Sequence, residues 1–326
     1  MKPSNQLPSS LAWVEKFTRY EGNPILRPQG RGFAADLIFN PGAIVKDDTV
    51  MMLCRGVDFA RQPSSKLNWG ISSFGWARSK DGFNFEVDPE PIPEFTIDDK
   101  SPYQGGFEDP RLVKIGDEYM LTYSGTYDCT KVVGMAAFSK DLKHWDVAGE
   151  ILPGRAIAIT DRKINGKYYA YWDNTDIRLA VSEDLRHWEV LPQSALTPRE
   201  GMFDEQLCEA AAAPLVTDDG ILLIYNGACN RPMAYDYSRQ LLPGYWANPD
   251  FVYSIGWALF DREDPTKLIA RSDKPFLAPE KLYELFGMSN FALFSPGMVK
   301  FHGKYILYYG CADARISCAY VEAAEK

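Results

Sequence analysis

Five stretches of the chain arrange apolar and polar positions in the same order. A short apolar run enters a tight polar turn, and a longer aliphatic and aromatic run then ends near Gly or Asn. They are PGAIVKDDTVMMLCRG (Pro41–Gly56), DPRLVKIGDEYMLTYSG (Asp109–Gly125) and AITDRKINGKYYAYWDN (Ala158–Asn174). AAPLVTDDGILLIYNG (Ala212–Gly227) and SPGMVKFHGKYILYYG (Ser295–Gly310) complete the set. Two β-prone runs joined by I-G-D, N-G-K, D-D-G or H-G-K read as a β-hairpin. A second phrase follows most of them: GWARSKDGFNFEV, GMAAFSKDLKHWDV, RLAVSEDLRHWEV and, more loosely, SIGWALFDREDPTKLIAR. It reads as a third strand, a Ser-x-Asp turn and a fourth strand carrying an aromatic residue.

Four strands per unit, repeated five times at roughly 50–80 residues each, match the radial repetition of a β-propeller. The pattern therefore predicts an all-β fold, one five-bladed propeller domain over residues 1–326, with about the first 20 residues a tail or arm. Sustained helical periodicity is absent. A short helix is expected around Pro279–Phe286, and the Pro-rich DPEPIPEF reads as a loop between blades.

Composition narrows the partners. A net charge of −9 argues against nucleic acid or an anionic membrane. The N-terminus has no apolar leader and no run reaches membrane-spanning length, so a cytoplasmic protein is expected, with a homo-oligomer left open. Six scattered cysteines without C-x-x-C spacing read as reduced thiols. The histidines His144 and His187 both stand in a His-Trp pair, a repeated structural position, so neither a metal nor a cofactor is expected. Phosphate loops, nucleophile elbows and Ser-His-Asp arrangements are also missing.

In a propeller, polar residues at the start of each inner strand converge on one mouth of the central channel. Those positions are Asn40, Asp109, Asp161, Glu209 and the region of Ser295. A surface turn would account for a lone Asp-Pro-Arg, but Glu108, Asp109 and Arg111 stand at the entry of an inner strand. A carboxylate desolvated there is expected to have a raised pKa and to donate a proton. Glu209, in FDEQLCEAAAAPL, holds the corresponding place in the fourth blade; a solvated loop acid is its plainer reading. Two carboxylates from different blades suit acid and base roles in glycoside hydrolysis. Asp313 follows the fifth blade's second strand, and Arg55 with Asp58 stands at the equivalent place in the first. Asp173 closes the third blade in the same way, and Tyr225 and Asn226 close the fourth. Carboxylates and a guanidinium at such ends can grip sugar hydroxyls, although ordinary loop polarity explains Asp58 nearly as well.

The phrases FNPGAIV, FEDPRLVKIGDEYMLTYS, FSKDLKHW, DGILLIYNG and KYILYYGCAD resemble glycoside hydrolase family 130, from about Asn23 to Val321. That resemblance implies a five-bladed propeller acting on β-mannosides, as a phosphorylase or a hydrolase, with inversion at the anomeric carbon. It implies Asp109 as general acid, protonating the glycosidic oxygen through a mannose hydroxyl, and Asn40, Arg55 and Asp313 as ligands of the non-reducing mannose. Phosphorylase members carry a basic pair after the third blade's strand, where this chain has Trp172 and Asp173, and an aspartate there would repel phosphate. Hydrolase members show Tyr-Trp at this strand and a glutamate before the fourth blade, as Glu209 does. The expectation is an inverting hydrolase of β-1,2-linked manno-oligosaccharides in which Glu209 activates water. The chain departs from that pattern at Ser295, where a second glutamate is usual, and at AAAAP. Arg61, Lys131 and Lys163 remain possible phosphate ligands. The alternatives are a phosphorylase forming mannose 1-phosphate and a catalytically silent sugar-binding propeller.

Overall fold

The computed structural model describes residues 3–61, 71–98, 100–127, 131–230 and 251–323. The first strand in the chain, β1 (Thr18–Arg19), belongs to the last sheet. The first repeat builds β2 (Leu37–Lys46), β3 (Thr49–Val57), β4 (Ser72–Ser79) and β5 (Glu86–Val87). The second builds β6 (Gly106–Ile115), β7 (Glu118–Thr126), β8 (Val132–Ser139) and β9 (Asp146–Leu152). The third is β10 (Ala158–Ile159), β11 (Tyr168–Trp172), β12 (Ile177–Ser182) and β13 (Glu189–Leu196). In the fourth, β14 (Leu207–Ala210) and β15 (Leu215–Thr217) share one partner, β16 (Gly220–Asn230), followed by β17 (Phe251–Phe260) and β18 (Leu268–Arg271). The fifth contributes β19 (Leu293–Phe301), β20 (Lys304–Cys311) and β21 (Arg315–Glu322), and β1 adds the missing fourth strand. The architecture is the expected five-bladed β-propeller.

The repeated Ser-x-Asp phrase has a local cause. Ser139 Oγ accepts the Leu142 N–H at 2.8 Å, and Asp141 Oδ1 accepts those of Lys143 and His144 at 2.8 and 2.9 Å. Ser182 and Asp184 repeat this with Leu185, Arg186 and His187. The side chains take the place of a backbone ladder at the turn. His144 Nδ1 and His187 Nδ1 each lie 2.7 Å from the turn aspartate, so both histidines are structural, as the repeat implied.

A second device shapes the inner strands. In β2, β6 and β19 the ladder slips at Phe39/Gly42, Glu108/Arg111 and Phe294/Gly297, each time across an X-Pro step. Proline cannot donate to the ladder, so a bulge forms and re-aims the residue before it. Asn40 and Asp109 sit there with φ of 43° and 52°, a left-handed conformation that Asn and Asp tolerate better than most residues. The strands then approach closely: a Cβ on Gly42 would stand 2.7 Å from the Pro110 carbonyl oxygen, and one on Gly297 2.6 Å from that of Pro41.

The N-terminal segment is built into the ring. Thr18 pairs with Tyr320 and Arg19 with Ala319, while Leu11, Val14 and Phe17 bury beside Trp257, Leu307 and Tyr309. Arg19 Nε donates to Glu284 Oε1 at 2.8 Å and Nη2 to Oε2 at 3.0 Å, tying β1 to the short helix α1 (Leu282–Leu285). That helix lies inside the predicted Pro279–Phe286, and DPEPIPEF is a connection with a 3-10 turn at Pro93–Phe95.

Candidate active site

The bulges and strand ends bring charged groups from all five blades to one cavity of about 300 Å³. Asn40, Arg55, Asp109, Glu209 and Asp313 line it, together with Glu108, Arg155, Tyr253, Ser289, Asn290 and Phe294. Asn40 Nδ2 donates to Asp109 Oδ1 at 2.8 Å, and Arg55 Nη1 donates to the same oxygen at 3.0 Å. Arg55 Nη2 reaches Glu108 Oε1 at 2.8 Å, its Nε donates to Ser72 Oγ at 3.0 Å, and its guanidinium lies 4.6 Å above the Phe39 ring. Arg55 is thus held on every edge, and it presents two fixed N–H groups to the acidic pair.

Arg111 has a different task. Its Nη1 donates to the Asp109 carbonyl oxygen at 2.8 Å, and its Nε and Nη2 donate to the Ala211 and Ala210 carbonyls at 2.7 and 2.6 Å. It cross-links blades two and four behind the cavity and braces the Asp109 bulge. Those carbonyls belong to the interrupted Ala-rich inner strand after Glu209.

Burial alone would raise the Asp109 carboxyl, but Arg55, Arg155 and Arg111, with the Asn40 amide, outweigh it and hold the group below the usual range. The raised value expected from sequence is therefore corrected: its cationic neighbours favour ionised Asp109. Glu209 is the group that rises. Burial pushes it up to about 7, against the pull of Arg155 and Arg111 and with added repulsion from Asp109 and Glu108. Asp313 rises to about 6, again by burial, although it accepts a hydrogen bond from Ser289 Oγ at 2.5 Å and faces Arg55.

Arg155 is the residue that sequence reasoning missed. It precedes β10 and pairs with Glu108 through Nη2, while its buried Nε finds no acceptor among the described residues. The only sequence signal is a lone arginine after Pro-Gly in the apolar run ILPGRAIAIT. The third blade thus supplies a cation from Arg155, not from the place of the basic pair where Trp172 and Asp173 stand. Asp173, whose charge seemed to exclude phosphate, does not line the cavity. It is half-buried behind it, and its carboxylate accepts the Asn174 N–H at 3.0 Å.

Four other expected residues also stay outside. Asp161 pairs with its neighbour Arg162 at the protein surface, because the turn after β10 carries it past the strand to the opposite end. Asp58 accepts the Ala60 N–H at 2.9 Å in a local turn. Tyr225 faces outward from the axis into a buried network, donating to Asp204 at 2.6 Å and accepting from Arg271 at 3.1 Å. Asn226 lies beneath the cavity, where its Oδ1 accepts the Ser295 N–H at 3.1 Å. Lys163 lies at the other end of β10, and Lys131 Nζ lies 4.1 Å from the Tyr127 ring centroid. The Arg61 side chain and residues 62–70 and 231–250 lie outside the described residues. Among the described residues no cluster of His, Cys, Asp or Glu could hold a metal ion, and no helix is long and apolar enough to cross a membrane.

Comparison with known proteins supports the architecture. The family model Glyco_hydro_130, described as beta-1,4-mannooligosaccharide phosphorylase, matches residues 10–325. A beta-1,2-mannobiose phosphorylase of Thermoanaerobacter sp. (strain X514) is 31% identical over 317 residues, covering 94% of this chain and 97% of that protein. A solved structure described among glycoside hydrolases of the family that target β-1,2 mannosidic linkages in Candida mannan superposes with a TM-score of 0.82. It is 29% identical and covers 97% of this chain and 96% of the other. The beta-1,2-mannobiose phosphorylase of Listeria innocua, solved with β-1,2-mannobiose, superposes with a TM-score of 0.75 at 25% identity, covering 94% and 97%. A match along nearly the whole chain, on a fold whose bulges deliver the acidic pair to the axis, makes this protein a member of glycoside hydrolase family 130.

Proposed function

We propose that this protein cleaves β-mannosidic bonds in short manno-oligosaccharides with inversion, and that inorganic phosphate is the acceptor. The observation that carries the acceptor is Arg155: a guanidinium on the cavity wall, about a quarter of its side chain open, that pairs with one carboxylate, Glu108. An incoming oxyanion can take charge-assisted hydrogen bonds from a guanidinium placed there. The named phosphorylases of Thermoanaerobacter and Listeria support the same reading.

Substrate hydroxyls that take over the hydrogen bonds of Asn40 and Arg55 would relieve Asp109 of its cationic neighbours and let it hold a proton. That proton passes to the glycosidic oxygen, through a sugar hydroxyl, as the C1–O bond breaks. A phosphate oxygen forms the new bond to C1 on the opposite face, so a β-mannoside gives α-mannose 1-phosphate and a free sugar. A protonated Glu209 would tolerate the phosphate charge and could donate to it. Arg55 and Asp313 hold the mannose.

Hydrolysis is the second reading, favoured by one observation. With a pKa of about 7, Glu209 is also tuned to act as a general base on water. Incubation with β-1,2-mannobiose, with and without phosphate, separates the two. Phosphorolysis requires phosphate and yields mannose 1-phosphate with mannose in equal amounts. Equal release of mannose alone in both incubations would overturn it in favour of hydrolysis.

A further inference from the structure

A cavity of about 620 Å³ is distinct from the catalytic one, which measures about 300 Å³. It lies at the other end of the same strands. Arg155 precedes β10 while Arg162, Lys163 and Asn165 follow it, and Tyr253 is near the start of β17 while Arg262 follows its end. The seven steps from Tyr253 to Phe260 span about 23 Å of extended strand. The N-terminal segment forms one wall: Trp13 stacks on Tyr305 with centroids 4.0 Å apart and planes 5° off parallel, and Ser10 Oγ donates to Asp219 Oδ2 at 2.5 Å.

The chemistry of the walls specifies a ligand class. Three cationic side chains (Arg162, Lys163, Arg262) face three carboxylates (Asp218, Asp219, Glu263), so the lining is balanced in charge. A free anion or cation would gain little from it. Two contacts join lining groups at the rim: Arg262 Nη1 donates to Asp218 Oδ1 at 3.1 Å, and Asn165 Nδ2 donates to the Glu263 carbonyl at 2.8 Å. Each pairing leaves further donor or acceptor capacity on the same planar group. Donors and acceptors of both signs beside aromatic rings match a neutral polyhydroxylated molecule, whose hydroxyls both donate and accept and whose C–H faces pack on rings. The volume lies within the ~300–1,000 Å³ of small-ligand sites.

We infer that this cavity is a second carbohydrate site, taking a neutral oligosaccharide on the face opposite the reaction. It does not depend on the acceptor used at the catalytic cavity. The test uses the full chain carrying Asp109→Asn, titrated with β-1,2-mannobiose, β-1,2-mannotriose, cellobiose and mannose 6-phosphate, with stoichiometry read by calorimetry. The expected result is a second saturable event with at least one neutral sugar, weakened tenfold or more by Arg262→Ala or Trp13→Ala. With Asp109 intact, Arg262→Ala should leave kcat within twofold. Thermal melts of both variants separate lost binding from lost fold, and Arg262 is exposed enough to be replaced safely. One binding event, no binding, equal binding in the Arg262→Ala variant, or preference for the phosphorylated sugar would each overturn the inference. Failure of the catalytic reading shows separately, as wild-type protein that leaves mannosides uncleaved.

Discussion

Asp109 occupies a position that holds off the proton it would have to deliver. Two N–H donors share its Oδ1, and three guanidiniums lie near its carboxylate. Asp109→Asn is expected to lower kcat by 10²-fold or more, the usual contribution of a positioned acid, measured as product release at saturating mannoside. Glu209 supplies the pH dependence. If phosphate is the acceptor and protonated Glu209 accommodates it, kcat/KM falls as pH rises through about 7, and Glu209→Gln retains activity with a flatter profile. If Glu209 is the base for water, kcat/KM falls as pH drops through about 7, and Glu209→Gln loses 10²–10⁴-fold. Stability follows the same group. Its folded pKa of about 7 exceeds the ordinary 4.5, so the folded state binds the proton more tightly. Its contribution is full below about 4.5 and is lost as pH rises to about 7, by roughly 3 kcal/mol. Glu209→Gln should therefore melt higher than wild type at pH 8 and differ little at pH 4.5, as read by calorimetry.

At the scale of elements, the X-Pro bulges were legible as recurring phrases, FNPG, EDPR and FSPG, at the entries of predicted strands. Their effect on side-chain direction was not legible, because a bulge changes which face a residue takes. Asp161 shows the cost: with no bulge in its strand, it passes beyond β10 to the surface. Arg155 was missed for a related reason. It belongs to no repeat phrase and gains its meaning from Glu108, contributed by another blade. The ion pair of Arg19 with fully buried Glu284 joins β1 to α1, and Tyr309 donates to the same carboxylate at 3.0 Å. Arg19→Ala leaves that charge buried and unpaired, which should cost about 3–5 kcal/mol in denaturant unfolding. Since α1 leads into Ser289 and its bond to Asp313, KM for the mannoside should rise as well.

For the whole molecule, a ring of blades must be closed, and here the N-terminal segment does so. Deleting residues 1–19 removes the fourth strand of the last blade and bares the surface that Leu11, Val14 and Phe17 cover. Such a protein should lose the single cooperative melting transition and bind a hydrophobic dye, and unchanged melting would refute this role. The repeat grammar determined the blade count, the turn chemistry and the acidic pair, because these depend on local periodicity and on residues within a few positions of one another. Only the tertiary structure decided the ionisation order of Asp109 and Glu209, the cation supplied by Arg155, and which expected residues reach the cavity. Those properties come from groups on different blades brought within a few ångströms around one cavity, where burial and neighbouring charge outweigh any preference written along the chain.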